Sequence, residues 1–236
     1  MEKKMASVLT FEKKKENNSA EKKLDGFMTR HRKPILITAL VLVIVAVGIC
    51  IYVGIVDSQR KAGIAGVDKI EFKYTNGFEA LTDEEIVARQ NEALEGLKEF
   101  TGKKGVVGVR ANLLAAEISF AKKDYVNAKD YWIAASDADP KAYTSPEALY
   151  NAGVCFEESG DVQTALTYYQ KAFDHPEFLM KPRALMEIGR VKESSGDYAG
   201  ASEAYQKMVD DYSSDEWTNL AQSRLLRLKI DGKVSD

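Results

Sequence analysis

The chain has 236 residues, with 33 Lys and Arg against 36 Asp and Glu and a formal net charge of −3. Residues 1–34 hold ten basic and five acidic side chains, which leaves 23 basic against 31 acidic ones, a net of −8, after the uncharged segment 35–56. This balance argues against a nucleic-acid-binding domain, because phosphate contacts need clustered Lys and Arg.

The first predicted element is the leader, residues 1–34. It is rich in Lys, Glu and Asn and has almost no apolar periodicity. Such a composition is typical of a disordered tail whose basic residues keep it in the cytoplasm. The alternative is a docking arm for anionic lipid or for a cytosolic partner.

Residues 35–56 contain no charged side chain. At about 1.5 Å per residue, a helix of this length extends about 33 Å, which exceeds a bilayer core of about 30 Å. We therefore predict an uncleaved, single-pass transmembrane helix in the inner (cytoplasmic) membrane. The alternatives are a cleaved signal peptide, a lipoprotein signal at Cys50 and a buried core helix, and each fits this long segment less well.

The basic leader also predicts the orientation, with the N-terminus in the cytoplasm and residues 57–236 in the periplasm or another extracytoplasmic space. Cys50 then lies in the span and Cys155 beyond it, so no internal disulfide can form. His31 and His175 lie on opposite sides of the membrane, so Cys and His cannot assemble a metal cluster. The sequence predicts neither a metal nor a cofactor.

For residues 57–80 the sequence pattern does not decide between a strand and a helix. One set of apolar residues alternates as in a strand: Ile70, Phe72 and Tyr74. An overlapping set recurs at helical spacing: Ile64, Val67, Ile70 and Tyr74. Gly63 and Gly66 weaken the helical interpretation. We expect a membrane-proximal stalk with partial helix.

A helical domain is predicted to follow over residues 81–232. Thr82 and Glu85 have the spacing of a capping box, and apolar residues then recur at helical intervals. This pattern predicts a helix over about 83–99 that packs on the next helices as a half-repeat.

The rest of this domain repeats itself with a period of 36 to 37 residues. Residues 146–177 align with residues 182–213 at an offset of 36. An earlier copy lies 37 residues upstream, where Ala128 takes the place of Ala165. Self-similarity at this period predicts stacked helix–turn–helix units. The predicted units are about 108–144, 145–180 and 181–213, followed by a capping helix over 215–230.

Glycines and aspartates mark the turns of these units. Gly160 can end a helix in the left-handed conformation and Asp161 can cap the next one, and the pair recurs 36 residues later. Gly153 and Gly189 lie inside predicted first helices, where glycine costs about 0.5–1 kcal/mol relative to alanine. We therefore expect close approach by the second helices, with the small residues Ala128, Ala165 and Ala201 facing the first helices.

The second and third units share a pattern of small and aromatic residues. Unit two carries Leu149, Ala152, Gly153, Phe156, Gly160, Asp161, Ala165, Tyr169 and Ala172. Unit three carries Leu185, Ile188, Gly189, Gly196, Asp197, Tyr198, Ala201 and Tyr205. This pattern resembles the tetratricopeptide repeat family over about residues 108–213, with departures at Lys192 and Met208. The resemblance implies an all-α fold, an α-solenoid of about three hairpins with flanking helices; an ordinary helical bundle is the alternative.

No catalytic constellation is found in the sequence. The segment from Thr101 to Lys104 contains a Gly-Lys pair but lacks the upstream glycine of a phosphate-binding loop. Cys155 has no usable base beside it in sequence and falls where the repeat places a small buried residue. We expect a protein that is not an enzyme.

The resemblance also predicts a partner-binding groove, because the first helices of stacked units line the concave side. The predicted groove residues are Arg110, Leu113 and Glu117 in unit one, Tyr150, Asn151, Val154 and Glu157 in unit two, and Arg183, Met186, Arg190 and Glu193 in unit three. Their mixture of apolar and charged types suits an extended peptide or a partner helix, and the alternative is a solvated helix face. Only Asn151 and Arg183 match the family's clamp for a C-terminal carboxylate, so that ligand is rejected.

Topology and repeat type together resemble single-pass bacterial proteins that accompany the Sec translocon as periplasmic chaperone adaptors. The implied function is a membrane-anchored scaffold for protein partners on the exported side. The alternative is a structural subunit of an envelope complex, such as a motor collar or an outer-membrane assembly machine.

Overall fold

The structure is a computed structural model that describes residues 22 and 24–235. Within that part of the chain every regular element is a helix. Most of the predicted leader lies outside the described residues, but its residues 24–30 are helical (α1). The chain divides between Gln59 and Arg60 into two compact units.

The remaining helices follow in chain order, and a single 3-10 turn, Phe78–Ala80, comes after the first of them. They are α2 (Arg32–Thr75), α3 (Asp83–Thr101), α4 (Gly105–Ala121), α5 (Tyr125–Ala138), α6 (Ser145–Glu158), α7 (Val162–Asp174), α8 (Lys181–Ser194), α9 (Tyr198–Asp211) and α10 (Thr218–Ile230).

The first unit contains the apolar part of α2. An 18-residue window of this helix has a mean hydropathy of 3.0, and none of the window is buried against other parts of the chain. Its length and composition are sufficient to cross a membrane. Because its large apolar side chains are exposed, α2 does not pack there as the core helix of a soluble domain.

The second unit begins with residues 60–75 of α2, so the segment left open between strand and helix is helical. Both of its glycines lie at close contacts. A Cβ added to Gly63 would lie 2.9 Å from the Val107 methyl groups, and one added to Gly66 would lie 2.6 Å from the Phe100 ring. The glycines therefore permit the packing of this helix on α3 and α4, instead of interrupting it.

The predicted start of α3 is confirmed. The Glu85 amide donates to Thr82 Oγ1 at 3.3 Å, and the Thr82 amide donates to Glu85 Oε2 at 2.9 Å. This reciprocal pair is a complete capping box. Leu97, on the apolar face of α3, is fully buried among side chains of α2 and α4.

Three helix hairpins follow, formed by α4 and α5, α6 and α7, and α8 and α9. Gly160 and Gly196 adopt positive φ values of 84° and 82° at the turns of the second and third hairpins. The first hairpin has Lys123 at the equivalent position with φ 58°, a conformation that favours glycine. Asp124, Asp161 and Asp197 each accept a backbone hydrogen bond at the start of the second helix.

The two helices of each hairpin approach closely, as the sequence predicts. Ala128, Ala165 and Ala201 are all 0% exposed. The group nearest Gly153 and Gly189, however, is a tyrosine ring. A Cβ on Gly153 would lie 2.8 Å from Tyr169, and one on Gly189 would lie 2.3 Å from Tyr205. The cores of the second and third hairpins are therefore a glycine packed under a buried ring, with alanines completing the contact.

We predict that Gly189→Ala lowers the free energy of unfolding by about 1–3 kcal/mol through overpacking. The Tyr205 ring cannot move aside easily, because it is fully buried and its hydroxyl donates to Glu193 at 2.8 Å. Gly102→Ala is the control, since a Cβ there meets nothing within 4 Å. Thermal unfolding of the full chain in detergent measures both. Equal melting temperatures for the two variants would contradict the close contact.

Candidate functional site

The first helices of the hairpins form one continuous surface of the second unit, which we call the first-helix face. It consists of residues 60–75 of α2 together with α4, α6, α8 and α10. Side chains join neighbouring members of this series: Arg110 of α4 contacts α2, Arg190 of α8 contacts α6, and Arg224 of α10 contacts α8. The predicted groove residues all belong to α4, α6 and α8.

At its N-terminal end the face is closed by an ion-pair cluster. Arg110 contacts Asp68 at 2.6 Å and Glu71 at 3.1 Å, both on α2. The guanidinium predicted to face a partner is therefore held by carboxylates of its own chain. This pairing does not follow from the sequence, because the repeat pattern does not extend into residues 57–80.

Between α4 and α6 the face opens into a cavity of about 420 Å³, which we call the α4–α6 groove. Its lining residues are Leu113, Glu117, Phe120, Ala121, Trp132, Thr144, Glu147 and Asn151. Three of them, Leu113, Glu117 and Asn151, belong to the predicted groove. The walls are the two first helices, and Trp132 contributes from α5.

Glu147 could have been found from the sequence. It lies 37 residues after Arg110 and 36 residues before Arg183, so the repeat register assigns it to the same position as these two arginines. Phe120 likewise occupies the position of Glu157 and Glu193 in the later units. The α4–α6 groove differs from the rest of the face at those positions where the residue type in unit one or unit two differs from that in the other units.

The two carboxylates of the α4–α6 groove influence each other. Partial burial, and then the charges of Glu71 and Glu147, raise the pKa of Glu117 above its usual value. Among the described residues no ion pair or hydrogen bond is made to Glu117 or to Glu147. The groove thus combines apolar walls with carboxylates that repel each other.

Between α6 and α8 the same face is filled by a hydrogen-bonded network. Arg190 donates to Glu157 at 2.6 Å and to Glu187 at 2.7 Å, and the Tyr169 hydroxyl donates to Glu157 at 3.0 Å. Partial burial acts to raise the pKa of Glu157, but these hydrogen bonds and the charge of Arg190 outweigh it and lower that pKa. This arrangement ties the second hairpin to the third.

Two predicted groove residues in this region offer little surface. Tyr150 is 3% exposed and Met186 is 4% exposed, and both pack in the cores of the hairpins. Burial raises the pKa of the Tyr150 hydroxyl to about 12. Arg183 is exposed and lies over the Tyr150 ring, with 5.3 Å from its guanidinium carbon to the ring centroid. Val154 is half-buried against the same core.

The last predicted residue, Glu193, joins the third hairpin to α10. It accepts the hydrogen bond of Tyr205 and lies 3.6 Å from Arg224. Along the first-helix face, Arg110 of α4, Arg190 of α8 and Arg224 of α10 are each paired with carboxylates of the chain. Only the α4–α6 groove combines carboxylates, open space and no cation among the described residues.

Neither reactive nor metal-binding chemistry is assembled on this face. Cys155 is buried beside Trp132, and burial raises the pKa of its thiol to about 12, far above that of a reactive thiolate. Within residues 22 and 24–235, no group of three or more His, Cys, Asp and Glu side chains could hold a metal ion.

With this geometry established, the chain can be compared with known proteins. Residues 147–175 match the tetratricopeptide repeat family. The matched segment begins in α6 and ends just after α7, so the tetratricopeptide repeat coincides with the second hairpin. Repeats of this kind are protein-interaction scaffolds in general. No curated protein matches the sequence.

Two crystal structures of MamA are similar to this chain. The first is 18% identical and covers 65% of this chain and 82% of its own, with a TM-score of 0.47. The second is 20% identical and covers 64% and 75%, also with a TM-score of 0.47. These similarities carry no function from MamA to this chain.

We predict that Glu117→Gln raises the melting temperature at pH 7 and that the gain disappears near pH 4. A carboxyl whose pKa is raised by folding binds its proton more tightly in the native state, so native stability falls as the pH rises above the usual glutamate value of about 4.3. Gln removes that loss. Thermal melts across this pH range measure the effect.

Glu203→Gln, which removes an exposed carboxylate from α9, controls for net charge in this experiment. A gain that is the same at both pH values, or the same in the control, would show that ionised Glu117 is not destabilising.

Proposed function

We propose that this protein is a membrane-anchored scaffold that holds protein partners on the exported side of the cytoplasmic membrane. The observation that carries the proposal is the α4–α6 groove, an open and partly apolar gap in a face on which Arg110, Arg190 and Arg224 are paired with carboxylates. A tetratricopeptide repeat forms one wall of this groove. Within this class we favour a chaperone adaptor, which binds many unfolded or partly folded clients.

The apolar part of α2 supports the anchor. Its window of mean hydropathy 3.0 is unburied, which would expose a large apolar surface to water in a soluble protein. The ten basic residues of the leader support a cytoplasmic N-terminus, because Lys and Arg near a span remain inside. The repeat domain would then lie in the periplasm.

The composition of the groove supports a protein partner. Leu113, Phe120 and Trp132 give apolar contacts, and Asn151 and the glutamates give polar ones at the same site. Protein interfaces combine an apolar centre with a polar rim in this way. The remaining predicted residues would contribute at the edges, chiefly through exposed Arg183.

We predict that a membrane-impermeant maleimide labels Ser213→Cys but not Ser7→Cys in spheroplasts. Ser213 is exposed after α9, on the side proposed to be periplasmic. The wild-type chain is the control: Cys50 lies in the apolar helix, and buried Cys155 has a pKa of about 12 and does not react readily. Labelling of Ser7→Cys alone would reverse the proposed topology.

We also predict that a photo-crosslinking residue at Asn151 captures proteins in living cells, whereas the same residue at Gln163 does not. Asn151 lines the α4–α6 groove, and Gln163 is exposed on α7 of the same hairpin. Several faint adducts at Asn151 would support an adaptor with many clients. One strong adduct would support a structural subunit of a fixed complex instead. Adducts at Gln163 alone would contradict a binding role for the groove.

A further inference from the structure

We propose that the α4–α6 groove binds a partner segment in which a Lys or Arg side chain lies next to an apolar one. This inference rests on the proposed function and adds the chemistry of the partner. It follows from the apolar lining of the groove, the two carboxylates in that lining, and the contrast with the rest of the first-helix face.

The apolar half of the ligand is indicated by the shape and lining of the groove. A volume of about 420 Å³ is within the range of about 300–1,000 Å³ that is usual for specific pockets. Leu113 and Phe120 present apolar surface from α4, and Phe120 remains 38% exposed. A partner side chain placed there would remove this surface from water, at about 25 cal/mol per Å² of apolar area.

The cationic half is indicated by the carboxylates. Glu117 belongs to α4 and Glu147 to α6, so the two walls of the groove each contribute one negative charge. Glu71 adds a third nearby negative charge, but it is already paired with Arg110. No basic side chain of the described residues pairs with Glu117 or Glu147. A carboxylate that is partly removed from water gains from an ammonium or guanidinium group close to it.

Elsewhere on the first-helix face, a cationic side chain lies between each pair of neighbouring carboxylates described above. Arg110 lies between Asp68 and Glu71, and Arg190 lies between Glu157 and Glu187. In both cases the arginine comes from the next first helix in the series.

The α4–α6 groove has no such arginine. The register position of Arg190 is occupied in unit two by Val154, and that of Arg110 is occupied by Glu147. The second unit therefore supplies a carboxylate where units one and three supply Arg110 and Arg183, and an apolar side chain where unit three supplies Arg190. A partner's Lys or Arg would complete, at this junction, the pairing that the chain completes by itself at the others.

Three fluorescent peptides on one Ser/Gly frame test the inference. One carries Leu and Lys, the second Leu and Glu, and the third Lys alone. Fluorescence anisotropy measures their binding to the full chain in phosphatidylcholine nanodiscs, with empty nanodiscs as the blank. We expect the Leu/Lys peptide to bind at least about tenfold more tightly than either of the others, as expected for one good charge pair plus apolar burial.

In the variant Glu117→Gln/Glu147→Gln, the affinity for the Leu/Lys peptide relative to the Leu/Glu peptide should fall by about tenfold. Both carboxylates become neutral there while the groove keeps its shape. Asp130→Asn/Glu203→Gln removes two exposed carboxylates from second helices and should bind as the wild type does. Melting temperatures of all variants confirm that they are folded. Added salt should weaken Leu/Lys binding, because it screens the attraction, and should not weaken Leu/Glu binding, because it screens a repulsion.

Equal binding of the Leu/Lys and Leu/Glu peptides, or unchanged binding by the Glu117/Glu147 variant, would overturn the cationic ligand and leave the scaffold proposal intact. Absence of binding by all three peptides would also overturn this inference. The scaffold proposal fails separately, by the absence of adducts at Asn151.

Discussion

The fold depends on one repeated contact, a helix glycine packed under a buried tyrosine ring. Gly153 under Tyr169 and Gly189 under Tyr205 bring the two helices of a hairpin close enough for fully buried alanines to complete the core. Both tyrosine hydroxyls then donate to glutamates on the first helix, Glu157 and Glu193. The same rings thus fix the distance within a hairpin and orient carboxylates on the first-helix face. Tyrosine therefore determines both the packing within these two hairpins and the position of the carboxylates on their surface.

Ion pairs between the same glutamates and arginines of the next helices connect one hairpin to the next. Glu157, which Tyr169 holds in place, accepts a hydrogen bond from Arg190 of the following hairpin. Glu193, which Tyr205 holds in place, lies near Arg224 of α10. A charge reversal at Glu157 or Arg190 would therefore disturb the stacking of hairpins as well as any binding. Within the described part of the chain Glu117 and Glu147 have no such partners, so changes at these residues report on the groove itself.

Much of the fold could be predicted from the sequence, since the period of 36 to 37 residues and the Gly-Asp turns are local signals. The packing of residues 60–75 could not, because Gly63 and Gly66 read as helix breakers until Val107 and Phe100 are seen against them. Of the residues predicted for the groove, Leu113, Glu117 and Asn151 line the α4–α6 groove. Burial of Tyr150 and pairing of Arg110 were not predicted, since both depend on which neighbours the fold brings within contact distance.

The repeat register explains how one scaffold carries a local site. Three units present the same backbone positions, so a site arises where side chains differ while the packing residues stay constant. At one position the units carry Arg110, Glu147 and Arg183; at another, seven residues and about two turns further on, they carry Glu117, Val154 and Arg190. None of these residues belongs to the glycine–tyrosine contacts of the second and third hairpins, although Val154 packs partly on the core. The exchange of arginine for glutamate or valine does remove the internal cation from the α4–α6 junction, and two carboxylates and an open apolar cavity remain there. The proposed binding site is therefore a place where the chain omits a pairing that it makes elsewhere.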